Sequence, residues 1–220
     1  MSLLERLSVD DERLNTVLYD YWMRKRKPDG WNLVQKRRNY KDLLRITDLA
    51  NVPIQDTSCL DVGCGSGRLA GFLRKQGIKR YLGVDIYEPS LRMAKGINPD
   101  EEFILADFLT FDTNERFDYA FLSGVLSTNL DSSNHAFVRA MVRKIWHLTT
   151  VGCAINFLTN DDPGLPYNPD LRFYSISEME KLCREAVPKA SVEHYQCPDI
   201  YQADIYIFRP PTINDQGLTF

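Results

Sequence analysis

The sequence predicts an α/β fold with a mostly parallel sheet, helices on both of its faces, and an antiparallel pair of strands near the C-terminus. From Ser58 onward, short apolar runs alternate with amphipathic stretches, which is typical of parallel strands joined by helices. The last two runs, ASVEHYQ and ADIYIFR, are separated by little more than CPDIY. So short a connection leaves no room for a helical crossover, so these two strands are predicted to be antiparallel neighbours.

The individual elements follow in chain order. The five earlier strands are predicted at CLDV, YLGVD, FILAD, FDYAFL and CAINFL. The helices between them are predicted at GRLAGFLRKQG, PSLRMAKGI and HAFVRAMVRKIWHL. A last helix is predicted in SISEMEKLCREAV, capped by Ser175 or Ser177.

The chain is predicted to form one unit with a helical N-terminal cap. Up to residue 50, apolar residues recur at steps of three and four, with a turn at Pro28 in KPDGW. We therefore divide the chain into a cap (1–50), an α/β body (51–210) and a tail (211–220). The tail is predicted to be loosely held.

Composition indicates an ordinary globular protein. Of its 220 residues, 44% are hydrophobic and 26% are charged, enough for a full core. No apolar run could span a membrane, and the N-terminus has no signal-peptide core. Five scattered cysteines without a Cys-x-x-Cys pair predict reduced thiols in a cytoplasmic protein and no metal site.

Charge is unevenly distributed. Between Asp20 and Arg45 there are nine Lys or Arg against three Asp, a local net charge of +6 in a chain whose net charge is −3. Such a segment could attract nucleic acid or an anionic ligand. It could equally be the solvated face of helices that pack on an acidic body.

The stretch LDVGCGSGRL reads as a strand, a glycine-rich turn and the start of a helix. Gly63 and Gly65 would let the backbone turn tightly beside a ligand, and Gly67 would let the helix begin close to the strand. Three strand-end aspartates accompany this loop: Asp61, Asp85 and Asp107. Asp61 suits an ammonium group, Asp85 two ribose hydroxyls and Asp107 an adenine amino group. A pyrophosphate, by contrast, would be repelled by Asp61.

LDVGCGSG, YLGVDI and FILADF resemble the cofactor motifs of class I S-adenosylmethionine-dependent methyltransferases, and the match extends from about residue 58 to 209. The resemblance implies a Rossmann-like sheet of seven strands. It places the cofactor's methionine part on the glycine loop, its amino group near Asp61, its ribose at Asp85 and its adenine at Asp107. The residues so implied are Asp61, Gly63, Cys64, Gly65, Gly67, Asp85, Ile86, Asp107 and Phe108, with Ser123 and Gly124 facing the sulfonium.

The sequence also resembles an uncharacterised bacterial group within this family. The similarity lies in GWNLVQKRRNY, INFLT and FYSISE. It implies that Gln35 and Arg38 reach the methionine end of the cofactor, where an arginine suits a carboxylate.

Methyl transfer needs a general base only if the acceptor is protonated and not acidic. The candidates for catalysis are His135, Asp131 and Tyr174, with Asn129 and Tyr167 nearby in sequence. His135 could instead be an exposed residue near a helix start.

Three hypotheses for the function follow, of which two differ in the methyl acceptor and one has no acceptor. SGVLSTN after the fourth strand differs from the Asn/Asp-Pro-Pro-aromatic string of adenine and glutamine methylating enzymes, and no cysteine stands there for cytosine chemistry. A small-molecule acceptor is favoured, with the loop at 159–175 as a lid. The alternatives are RNA or protein docking on the basic segment, with nucleic acid less favoured because the body is acidic, and a non-catalytic cofactor-binding protein. The oligomeric state is not predicted.

Overall fold

The structure is a computed structural model, and it describes residues 33–130, 133–161, 171–197, 201–210, 212–214 and 217–219. Residues 33–37 and those after 210 are described by their backbone only. The helical pattern before Leu33, the turn at Pro28, and the candidates Asp131 and Tyr167 lie outside these ranges.

Seven strands form one sheet. They are β1 (Ser58–Val62), β2 (Arg80–Asp85), β3 (Glu102–Leu105), β4 (Phe117–Ser123), β5 (Thr149–Leu158), β6 (Ser191–Gln196) and β7 (Gln202–Phe208). Their order in the sheet is β3-β2-β1-β4-β5-β7-β6. Strands β1 to β5 are parallel, whereas β7 runs antiparallel to both β5 and β6. This arrangement confirms the predicted fold class.

Six helices flank the sheet within the described residues. The helices are α1 (Leu33–Leu43), α2 (Arg45–Ala50), α3 (Arg68–Lys75), α4 (Glu88–Ile97), α5 (Asn134–Leu148) and α6 (Ile176–Ala186). Ser133 caps α5, and Ser175 and Glu178 form a capping box at the start of α6, so the cap of that helix is Ser175 and not Ser177. None of these helices is long and apolar enough to cross a membrane.

The sheet has a separate hydrophobic core on each face. Residues of α5 and α6 pack on one face. Residues of α1 to α4, including the fully buried Leu43 and Ile46, pack on the other. Because successive residues of a strand face opposite sides, Asp61, Phe121 and Tyr206 lie on the face that α1 to α4 cover. All five cysteines are buried and free of disulfide bonds.

The described part of the tail contains a short antiparallel hairpin of β8 (Thr212–Asn214) and β9 (Gly217–Thr219). Thr212, Ile213 and Thr219 are β-branched and favour an extended chain. That the tail is loosely held stays a prediction.

Candidate active site

The strand order reverses direction at β1, which has β2 on one side and β4 on the other. In a doubly wound sheet, a crevice opens at the carboxyl ends of the strands where the order reverses, and ligands bind there. The glycine loop at 63–67 lies at this point because it directly follows β1.

The glycine loop takes a conformation that few other residues could adopt. Gly63, Gly65 and Gly67 have φ angles of 70°, 52° and 70°, in the left-handed region. The amides of Gly63 and Cys64 donate to the Val84 carbonyl at 2.8 and 3.2 Å, which holds the loop against the end of β2.

Side chains crowd this loop from outside. A Cβ atom at Gly63 would overlap the side chain of Val125. A Cβ atom at Gly67 would lie 2.9 Å from both Ala94 Cβ and Phe103 Cζ. The bare backbone is therefore required for packing as well as for the approach of a ligand.

Asp85 connects the glycine loop to the end of β2. The residue is 3% exposed, and its carboxylate accepts hydrogen bonds from the Gly65 amide at 2.7 Å and the Tyr87 amide at 2.8 Å. Ile86, beside it, is 39% exposed. Asp85 thus shapes the loop in addition to its predicted contact with a ribose.

Asp61 has a buried partner that the sequence did not reveal. The Tyr81 hydroxyl donates to the Asp61 carboxylate at 2.6 Å, and both residues are buried. Burial raises the pKa of Tyr81, and the charge of Asp61 raises it further, so Tyr81 remains a hydrogen-bond donor. Tyr81 starts the apolar run of β2, and only the register between β1 and β2 brings it to Asp61.

Asp107 and Phe108 follow β3 in different environments. Asp107 accepts a hydrogen bond from the Leu109 amide at 2.8 Å. Phe108 is buried in the core, with the Lys144 ammonium 5.2 Å from the centre of its ring. Burial lowers the pKa of Lys144. No pattern in the sequence indicated that Lys144 would lie near Phe108. The adenine contact of both residues stays a prediction.

The sulfonium end of the predicted site lies where β4 stops. Ser123 is the last residue of β4, and Gly124 takes a φ of 81° before a 3-10 turn at Val125–Ser127. Ser123 is in register with Asn156 on β5, which is in register with Asp204 on β7. Polar residues therefore extend from the cofactor end of β4 across to the antiparallel edge.

The structure places Arg38 in a basic cleft. Gln35 also lies on α1, where only its backbone is described. Arg38 and Lys41 line a cleft of about 830 Å³ together with Arg68 and Lys75 of α3. The other lining residues come from α1, α3 and the end of α4. The predicted contact of Gln35 and Arg38 with the methionine end stays a prediction.

The geometry described so far fits S-adenosylmethionine. The loop presents bare backbone beside a buried carboxylate at the end of each of two neighbouring strands. Residues 59–146 also match the family model described as a methyltransferase domain.

This chain carries a methyltransferase domain.

Several solved structures resemble the methyltransferase. Magnesium protoporphyrin IX methyltransferase (ChlM) from Synechocystis PCC 6803, solved with bound SAH, matches at a TM-score of 0.64 and 15% identity, over 89% of this chain and 100% of that chain. An S-adenosylmethionine-dependent methyltransferase from Clostridium acetobutylicum ATCC 824 matches at a TM-score of 0.61 and 12% identity, over 80% of this chain and 94% of that chain. The N-methyltransferase NodS from Bradyrhizobium japonicum WM9, also solved with SAH, matches at a TM-score of 0.58 and 17% identity, over 79% of this chain and 87% of that chain.

No curated protein matches this sequence closely enough to count as a relative. The domain match and the shared fold nevertheless confirm the predicted family and S-adenosylmethionine as the cofactor. This cofactor supplies a methyl group already activated on a sulfonium. The individual binding residues remain those predicted from the sequence.

A charged cluster lies at the edge of the methyltransferase where β4 and β5 end. His135 Nε2 lies 2.5 Å from Glu178 Oε1, and Arg172 Nη2 donates to the same oxygen at 2.7 Å. His135 is near the start of α5 and Glu178 near the start of α6, so both lie at the carboxyl edge of the sheet. Glu178 and Arg172 were not predicted, because they are distant from His135 in sequence.

Tyr174, the other described candidate for catalysis, is fully buried. Its ring packs edge-on against Phe157 with 6.4 Å between centroids, and the guanidinium of Arg172 lies over it at 4.9 Å. Burial raises the pKa of Tyr174 to about 12. This environment suits packing at the end of β5, and its catalytic role stays a prediction.

Proposed function

We propose that this methyltransferase acts on a small-molecule acceptor. One observation carries the proposal: the chain folds back over the ends of β4 and β5, where an acceptor would meet the sulfonium. Leu171 forms a bridge with Thr128 after β4, and Tyr174 forms a bridge with Thr159 after β5. Backbone amides of Arg172 and Tyr174 complete these links, donating to Ser127 and Leu158 carbonyls at 2.9 Å.

An acceptor site covered by its own chain suits a ligand that can be enclosed. Small-molecule sites are concave and bury most of the ligand, whereas a polymer must enter along an open groove. The resemblance to a methyltransferase named for magnesium protoporphyrin IX agrees with this class of acceptor. Enclosure would also exclude water from the displacement.

The proposal is tested by the destination of a labelled methyl group. The purified chain is incubated with methyl-tritiated S-adenosylmethionine and a cell extract divided by filtration into small molecules, RNA and protein. Chromatography then separates unreacted S-adenosylmethionine, itself a labelled small molecule, from the other small molecules. We expect label in these other small molecules. Transfer into RNA or protein alone would refute the proposal, and transfer into no fraction would favour a non-catalytic cofactor-binding protein.

One observation favours a macromolecular acceptor instead. The basic cleft contains the cations of Arg38, Lys41, Arg68 and Lys75, and the rings of Tyr40 and Phe72 meet beside them at 5.5 Å between centroids. Cations interleaved with aromatic rings are the composition of a surface that tracks single-stranded RNA. In that case RNA would be retained on a filter at low salt and released steeply as salt rises.

Within the proposed function, His135 serves as the base for an acceptor that carries a proton. If its Nε2–H donates to Glu178, the basic lone pair is on Nδ1, and the carboxylate fixes the orientation of the ring. Arg172 fixes the position of Glu178. His135 thus has the carboxylate partner that a general base requires.

His135→Gln should slow methyl transfer to the accepting fraction by roughly 10²–10⁴-fold, without changing affinity for S-adenosylhomocysteine. The matched control is His194→Gln, since His194 also pairs with a glutamate, Glu180, at 2.9 Å. His194 lies on β6, an edge strand four positions away from β1, which the cofactor loop follows. Equal activity of both variants would assign His135 to a structural ion pair.

A further inference from the structure

A buried cluster lies between α1 and the antiparallel edge of the sheet. Asp42 comes from α1, Cys197 follows β6, and Asp204 lies on β7; all three are buried. Cys197 Sγ is 3.5 Å from Asp204 Oδ2 and 3.8 Å from Asp42 Oδ2. All three atoms lie within 4.8 Å of one another.

These separations match the edges of a tetrahedral metal site. Zinc binds a cysteine sulfur at about 2.3 Å and a carboxylate oxygen at about 2.1 Å, so the two ligand atoms should be about 3.6 Å apart. The separations of 3.5 and 3.8 Å in this cluster lie on either side of that value.

Each carboxylate is held by its outer oxygen. Asn156 Nδ2 donates to Asp204 Oδ1 at 2.8 Å, and Arg45 Nε pairs with Asp42 Oδ1 at 3.5 Å. In both residues the second oxygen, Oδ2, faces the thiol. Metal-binding carboxylates are commonly oriented in this way by outer-shell donors.

Two buried amides beside the cluster have unpartnered oxygens. Gln202 is fully buried and its Oε1 and Nε2 make no hydrogen bond, and the same holds for Oδ1 of Asn39, which is 1% exposed. Gln202 shares a face of β7 with Asp204, two residues away, and Asn39 lies almost one helical turn before Asp42 on α1. Unsatisfied polar atoms in a protein interior are rare and call for an explanation.

We propose that Asp42, Cys197 and Asp204 bind a divalent transition metal such as Zn²⁺, with an amide oxygen of Gln202 or Asn39 as the fourth ligand. Binding would release the thiol proton to solvent. The three negative charges of two carboxylates and a thiolate would then balance the two positive charges of the metal and the single positive charge of Arg45. The thiolate favours Zn²⁺ over Mg²⁺ or Ca²⁺, which prefer oxygen ligands alone.

Such a site would be structural and goes beyond the proposed methyl transfer. Its ligands connect α1 to β7 and to the segment after β6, so the metal would hold the first described helix on the sheet. The sequence predicted no metal site, because three ligands so far apart along the chain form no recognisable spacing.

The test uses Co²⁺, whose bond to a thiolate gives an absorption band in the near ultraviolet. The full chain is treated with chelator, dialysed and titrated with Co²⁺ alone, then with Zn²⁺. We expect a thiolate band that saturates at one Co²⁺ per chain and is abolished by Zn²⁺. Zn²⁺ should also raise the Tm.

Cys197→Ser and Asp204→Asn should lose the band and the rise in Tm. Cys183→Ser is the matched control, because Cys183 is equally buried but lies on α6. If Cys197→Ser fails to fold, the band and its displacement by Zn²⁺ in the unaltered chain still decide the question. No Co²⁺ binding, binding without a thiolate band, or a band that Cys197→Ser keeps would overturn the proposal.

Discussion

Replacing Asp85 with alanine is expected to weaken the binding of S-adenosylhomocysteine at least tenfold. The carboxylate is predicted to accept ribose hydroxyls, and hydrogen bonds to a charged group contribute about 1.5–3 kcal/mol. Its loss would also leave the amides of Gly65 and Tyr87 without their acceptor. The variant should therefore lose the shape of the glycine loop together with the ribose contact. Isothermal titration calorimetry measures the effect.

Two comparisons make this prediction specific. Asp100→Ala removes an exposed aspartate beyond α4 and should leave the affinity unchanged. NAD should bind weakly to the unaltered chain, because Asp61 would repel its pyrophosphate. If Asp85→Ala binds S-adenosylhomocysteine as tightly as the unaltered chain, Asp85 does not contact the cofactor.

Gly63→Ala should destabilise the fold and abolish measurable cofactor binding. The new methyl group would overlap Val125, and such overpacking costs about 1–3 kcal/mol. The φ of 70° adds roughly 1–2 kcal/mol for a residue with a Cβ atom. Together these effects, about 2–5 kcal/mol, should lower the Tm by roughly 4–20 °C, measured by circular dichroism.

The two contributions can be separated. Val125→Ala removes the side chain that the new methyl group would overlap. In that background, adding Gly63→Ala should lower the Tm by less than Gly63→Ala does in the unaltered chain, and the loss that remains is the part due to φ. Gly96→Ala is the matched control, because a Cβ atom there has no atom within 4 Å and Gly96 lies inside α4. It should be neutral or stabilising by up to about 1 kcal/mol. An unaffected Tm in Gly63→Ala would contradict this account of the loop.

The fold and the cofactor end could be predicted because their signals are local. Each strand is a short apolar run, and the candidate aspartates Asp61, Asp85 and Asp107 stand at or next to the end of such a run. In a parallel sheet the carboxyl ends of strands meet at one edge, so position in the sequence implies proximity. The glycine pattern is local for the same reason.

The partners of these residues could not be predicted, because they depend on register and on packing between distant elements. Tyr81 reaches Asp61 only through the pairing of β1 with β2. His135 meets Glu178 because α5 and α6 pack side by side over the same face of the sheet. No rule of sequence spacing predicts a contact between residues whose distance in space depends on how whole helices and strands pack.

One hydrogen bond has a consequence for the order of folding. The Tyr206 hydroxyl donates to the Asp42 carbonyl at 2.8 Å, across 164 positions of sequence. Helix α1 is made early on the ribosome, yet its partner on β7 is among the last segments to emerge. The first described helix can therefore complete its contacts with the sheet only after the last strand of the large sheet has been made. Until then Leu43 and Ile46 have no β7 to pack near, and the nascent chain exposes apolar surface at its N-terminal end.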